Sequence, residues 1–146
     1  MSPRKRILII AGNLLFREGI KAIIGHNPGY EIVGEAGTGR QGLQMAKKLE
    51  PDLVLMDVRL PDVRGLVLIG DILKCARKTR VIVVSMHSNI DHIIKAFQSG
   101  AMGYLVKESA ADLLLEGIEH VLMGHYYMDA PIFHQVVKKL TVLQKE

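Results

Sequence analysis

Residues 53–57 read LVLMD: four apolar residues running into one carboxylate, with turn signals before them at Glu50-Pro51-Asp52 and after them at Leu60-Pro61-Asp62. A short unbroken apolar run bounded in this way reads as a central strand covered on both faces. An acid placed where such a run ends would stand at the carboxyl edge of a parallel sheet. Open α/β sheets hold their chemistry at that edge. Taken alone, the stretch equally allows an Asp57 that only closes a strand or caps a turn.

The neighbouring stretches repeat the pattern. Residues 6–11 (RILIIA) form a buried-strand run, and apolar residues at 16, 20, 23 and 24 follow at helical spacing until His26-Asn27-Pro28-Gly29 stops them. Residues 30–36 (YEIVGEA) read as a more exposed strand. Thr38 with Gln41 forms a capping box for a helix running to Leu49, with Leu43, Ala46 and Leu49 inward. Beyond Asp57, residues 63–76 carry Leu66, Ile69 and Leu73 in register as a third helix. Residues 80–84 (RVIVV) make a fourth strand ending at Ser85. Ser88 with Asp91 predicts a cap for a fourth helix, with Ile90, Ile93 and Phe97 on one face. Residues 103–106 (GYLV) make a short fifth strand ending at Lys107, and Ser109 with Asp112 predicts the cap of a fifth helix that Gly124 closes. Five strand–helix units in about 120 residues imply a parallel sheet with helices on both faces and right-handed crossovers. The expected fold is a flavodoxin-like (βα)5 three-layer sandwich with strand order 2-1-3-4-5.

Composition narrows the function classes. An apolar fraction of 49% in 146 residues describes a folded domain with a real core. A single cysteine, Cys75, excludes a disulfide framework and fits a reducing compartment. The apolar run near the start is too short for a signal peptide or a membrane span, so a cytoplasmic protein without membrane contact is expected. The formal charge is +4, but the cations are scattered along the sequence and not interleaved with aromatics, so they read as a solvated surface. The histidines lack metal-ligand spacing; His87, just past Ser85, reads as a surface loop group. Glycines 37, 39 and 42 surround a helix start, but a nicotinamide or flavin enzyme is a weak rival here.

If the sheet forms as expected, three strand ends converge: Asp57 on the third, Ser85 on the fourth and Lys107 on the fifth. That set suits phosphoryl acceptance. A carboxylate can act as the nucleophile, and an ammonium and a hydroxyl can pair with phosphoryl oxygens.

The stretches REGIKAII, IVGEAGTGRQGL, PDLVLMDVRLP, TRVIVVSMH and AFQSGAMGYLVKES resemble the receiver domain of bacterial two-component response regulators, and most closely the subfamily with a helix-turn-helix DNA-binding output. The resemblance covers residues 6–124. It implies that Asp57 takes a phosphoryl group from a sensor histidine kinase and sheds it slowly at most, as a switch and not an enzyme. It implies that Ser85 and Lys107 meet the phosphoryl oxygens and that Tyr104 is the aromatic that changes rotamer. Pro61 and Gly65 match the proline and glycine past the acceptor. The family's magnesium would be held by Asp57, the Arg59 backbone carbonyl and two acids after the first strand. Here those two positions are Gly12 and Asn13. Asn13 keeps a neutral oxygen and Gly12 offers no side chain, so Mg2+ is expected to bind weakly or not at all, with Lys107 pairing directly with Asp57.

The resemblance divides the chain into a receiver domain, residues 1–124, and a linker or C-terminal helix, residues 125–146, leading toward an output domain. In that helix Pro131 sits in the first turn and Ile132, Val136, Val137 and Leu140 face inward. A homodimer is implied, through helices 1 and 5 or through helix 4 and strand 5. DNA would be reached only through the output domain. The competing reading is a degenerate receiver serving as a phosphorylation-independent dimerisation or interaction module.

Overall fold

The computed structural model describes residues 3–86 and 89–145, with side chains through residue 142. The elements are β1 (Lys5–Ile10), α1 (Leu14–Gly25), β2 (Tyr30–Ala36), α2 (Gly39–Leu49), β3 (Leu53–Met56), α3 (Gly65–Cys75), β4 (Arg80–Ser85), α4 (Ile90–Gln98), β5 (Gly103–Val106), α5 (Lys107–Leu122), β6 (Tyr127–Met128) and α6 (Ala130–Lys145). All strand pairs are parallel, in the order β2-β1-β3-β4-β5-β6. The expected 2-1-3-4-5 core is therefore present. A two-residue sixth strand, in what the sequence suggested was a linker, extends it beside Gly103 and Tyr104.

The unbroken apolar runs follow from burial on both faces. Along β1, Leu8 and Ile10 enter a core shared with α2, α3 and α4, while Ile7 and Ile9 enter a second core shared with α1 and α5. β3 behaves in the same way, with Val54 and Met56 on one side and Leu53 and Leu55 on the other. With both faces dry, period-two alternation disappears. The helix stripes supply the outer walls: Ile20 and Ile24 from α1, Leu114, Ile118 and Val121 from α5, Leu68, Ile69 and Ile72 from α3.

Helix α6 joins the layer of α2, α3 and α4. Ile132 is buried in that layer's core and Val136 packs against it, whereas Val137 and Leu140 are 45% and 55% exposed and not inward as expected. The Phe97 ring meets the Tyr126 ring edge-on at 6.1 Å. Val136 and Leu140 share a cavity with Ile94 and Phe97, and Gln135 and Val142 share another with Ile90, so α6 packs along the exposed side of α4.

Two helix starts differ from expectation. Helix α4 is capped by Asn89, whose side-chain oxygen accepts the N–H groups of Asp91 (2.9 Å) and His92 (3.3 Å); Ser88 and His87 lie outside the described residues. Helix α5 begins at Lys107 without a side-chain cap, so Ser109 lies inside its first turn. The α2 box is as expected, with Thr38 Oγ1 accepting from Gln41 N at 3.2 Å. Asp62, from the loop after β3, adds to it by accepting from Gly39 N at 2.8 Å and Arg40 N at 3.0 Å.

Candidate functional site

β3 lies between β1 and β4, so its end opens at the centre of the sheet. Asp57 follows it directly, with its N–H bound to the Ile10 carbonyl of β1 at 2.9 Å. Its side chain is 7% exposed. The backbone then folds back. Arg59 N donates to Asp57 Oδ1 at 2.9 Å, and Arg59 pairs with Arg64 across an isolated antiparallel bridge. Gly65 makes this fold-back possible, because a Cβ there would run into the backbone of Val58.

Lys107 brings its ammonium to Asp57 Oδ2 at 2.6 Å, the direct pairing expected for a site without its acidic pair. The Phe16 ring of α1 lies beneath that ammonium, 4.3 Å from nitrogen to ring centroid, and adds a cation–π contact. A second ion pair at the carboxyl edge, Arg17 with Glu35 at 2.9 Å, lies to the side at the end of β2.

Ser85 ends β4, fully buried, and its hydroxyl hydrogen-bonds the phenol of Tyr104. Tyr104 is itself fully buried, and His92 Nδ1 of α4 stands 3.3 Å from its hydroxyl. Burial pushes the Tyr104 phenol above its ordinary value; the Ser85 hydrogen bond opposes this and the Asp57 charge adds to it. Asp57 and Lys107 thus meet directly, while Ser85 and Tyr104 form a second contact between the adjacent strands β4 and β5. The sequence reading missed Phe16 and His92 as members of this group. Phe16 was read only as a core-facing helix position. His92 falls outside the α4 apolar stripe, and only the fold aims it at β5.

Gly12 and Asn13 sit where the resemblance places the two missing acids. Asn13 Oδ1 accepts Phe16 N at 2.9 Å and caps α1, so its one neutral oxygen is already engaged. Leu14 and Leu15 beside it are 59% and 82% exposed. Asp57 has one oxygen on Lys107 and the other on Arg59 N. Among the described residues no group of three His, Cys, Asp or Glu side chains comes together. A hard cation seeks several oxygen donors, often charged; this donor set does not fit Mg2+.

The spacing Gly37-x-Gly39-x-x-Gly42 does match the dinucleotide fingerprint. The structure assigns it to packing. Gly42 lies against Ile10, Gly39 lies against Val63, and the α2 N–H groups that would cradle a pyrophosphate are held by Asp62. Among the described residues no helix is long and apolar enough to cross a membrane.

Comparison with known proteins agrees with this geometry. The response regulator receiver domain family matches residues 7–119. The chain is 33% identical over 141 residues to the transcriptional regulatory protein DegU of Brevibacillus brevis, covering 97% of this chain and 60% of DegU. It is 34% identical over 142 residues to the transcriptional regulatory protein YdfI of Bacillus subtilis, covering 97% and 64%. It therefore spans less than two-thirds of the length of these relatives. Among solved structures, a LuxR-family two-component response regulator from Aurantimonas sp. SI85-9A1 superposes with a TM-score of 0.89 at 29% identity, covering 94% of this chain and 99% of that one. With its central acid, its paired lysine and its parallel sheet in place, this chain belongs to the response regulator receiver domain family.

Proposed function

We propose that Asp57 is a phosphoacceptor fed by a sensor histidine kinase, and that the full-length protein couples this event to a DNA-binding transcription output. The observation that carries the reading is the 2.6 Å contact of Lys107 Nζ with Asp57 Oδ2 at the centre of the sheet's carboxyl edge. In the transfer, an Asp57 oxygen forms a bond to phosphorus as the P–N bond of a phosphohistidine breaks, and the leaving imidazole takes up a proton. The product carries about two negative charges and three acceptor oxygens. Lys107, already in place over Phe16, moves its ammonium from the carboxylate to a phosphoryl oxygen. Ser85 serves as a second donor by exchanging its Tyr104 partner. Tyr104 is inside before any modification, so phosphorylation reinforces an inward ring and does not draw it in. Mg2+ is not required in this scheme.

A second reading, the degenerate receiver acting as an interaction module, is favoured by one observation: the Asn13 oxygen is engaged as a helix cap. Incubation with acetyl phosphate, once with Mg2+ and once with a chelator, separates the two. Intact-mass analysis is expected to find one phosphoryl group in both, and none in Asp57→Asn. Absence of incorporation in both conditions leaves the module reading standing.

A further inference from the structure

The cations that look scattered along the sequence are gathered by the fold. Lys47 and Lys48 form the last turn of α2, Lys74 lies in the last turn of α3, and Arg77 and Lys78 form the turn before β4. These places lie at the amino edge of the sheet, the end opposite Asp57. A cavity of about 290 Å³ opens there, lined by Lys74, Arg77 and Lys78 of the α3–β4 connection and by Glu50 at the end of α2. Lys47, Lys48, Lys74, Arg77 and Lys78 are all exposed. Among the described residues none of the five has a carboxylate within ion-pair distance.

Internal uses account for other cations at this end, but not for these. Arg6 Nη1 donates to the Leu49 carbonyl and closes α2; Arg80 Nη1 donates to the Val121 carbonyl at 2.8 Å and to that of Leu122, closing α5. Helix dipoles favour Lys47, Lys48 and Lys74 at C-terminal turns. They give no reason for Arg77 and Lys78, which lie outside any helix. Three acids nearby offset the five only in part, and one of them, Asp71, shares a second cavity with Lys74. Asp52 accepts the Arg6 N–H at 2.8 Å, and Glu50 is the one acid lining the first cavity. Unpaired, solvated cations around a concavity suit a chain of phosphates, whose condensed counterions they release on contact.

We propose that this pole is a sequence-independent binding surface for the phosphate backbone of duplex DNA. The choice of DNA over another polyphosphate rests on the transcription reading above; the surface itself does not.

The test is fluorescence anisotropy of a labelled duplex of arbitrary sequence titrated with the whole chain. Affinity is expected to fall by two to three orders of magnitude from about 50 to about 200 mM salt, as roughly five neutralised phosphates require. Lys74→Glu/Arg77→Glu/Lys78→Glu is expected to weaken binding at least roughly ten-fold at about 50 mM salt and to lower the salt slope by about three. Lys138→Glu/Lys139→Glu, on α6, is expected to leave both unchanged. Circular dichroism checks folding; if the triple variant fails to fold, Lys47→Gln/Lys48→Gln carries the test, with a smaller loss in the same direction. The proposal is overturned if the wild type does not bind, if the α6 variant loses as much as the triple variant, or if the triple variant binds unchanged. Binding to phosphatidylglycerol vesicles without binding to the duplex also overturns it. Acetyl phosphate labelling of the same samples keeps the two readings apart. Normal labelling with no DNA binding removes only the pole, and DNA binding without labelling removes only the phosphoacceptor.

Discussion

The Asp57–Lys107 pair places a nearly buried carboxylate against a mostly buried ammonium, with Lys107 19% exposed at its side chain. Removing one partner leaves a charge with little water around it, and this costs more than losing the pair as a whole. Lys107→Ala is expected to lower unfolding free energy by about 1–3 kcal/mol, discounted for the partial exposure. Adding Asp57→Asn is expected to recover part of that loss in urea denaturation. Glu35 supplies a pH-dependent counterpart. Lys21 and Arg17, at 2.7 and 2.9 Å, hold its carboxyl below the ordinary value of 4.5. A depressed folded-state value means that the stabilisation is present above the unfolded value and is lost as pH falls through the folded one. Thermal melts are therefore expected to drop below about pH 4.5, and Glu35→Gln is expected to flatten that drop.

The elements separate what was legible in the sequence from what was not. Strands β1 and β3 were readable because burial on both faces writes itself as an apolar run. The α2 start was readable because Thr38 and Gln41 are local partners. Lys107 was read as a strand end and Ser109 as a helix cap. The helix starts earlier because Lys107 is tied to Asp57 and Ala110 is buried in the α1–α5 core, two constraints from distant sequence. Asp62 capping α2 spans 23 residues and left no local trace. Asn89→Ala is expected to destabilise the domain by about 1 kcal/mol through loss of the α4 cap, measured by chemical denaturation. Gly65→Ala is expected to cost about 1–3 kcal/mol as overpacking, because the Val58 backbone cannot yield as a flexible side chain would. Its thermal midpoint is the check, and reduced labelling of Asp57 would accompany it, since the same fold-back holds Arg59 N on the carboxylate.

At the scale of the molecule, the five strand–helix units were legible from alternation, their order in the sheet came from the flavodoxin-like arrangement, and the sixth strand was not legible. Two residues are too few to display a period, and β6 exists because β5 offers it an edge. Ser85 and Tyr104 were picked out singly; that Tyr104 is already enclosed by Ser85 and His92 depends on how α4 lies over β5. An interface that responds to phosphorylation predicts a change of assembly. Light scattering on acetyl phosphate-treated protein is expected to give the mass of a pair, and on untreated protein that of one chain. A mass that is the same in both states favours the module reading.

Helix α6 packs against α4, and its sixteen residues make a rod roughly 24 Å long. Whatever tilts α4 must tilt that rod. A ten-degree rotation at its base sweeps the far tip through about 4 Å, so a shift of the size of one side chain beneath His92 becomes a repositioned tether for any segment joined beyond it.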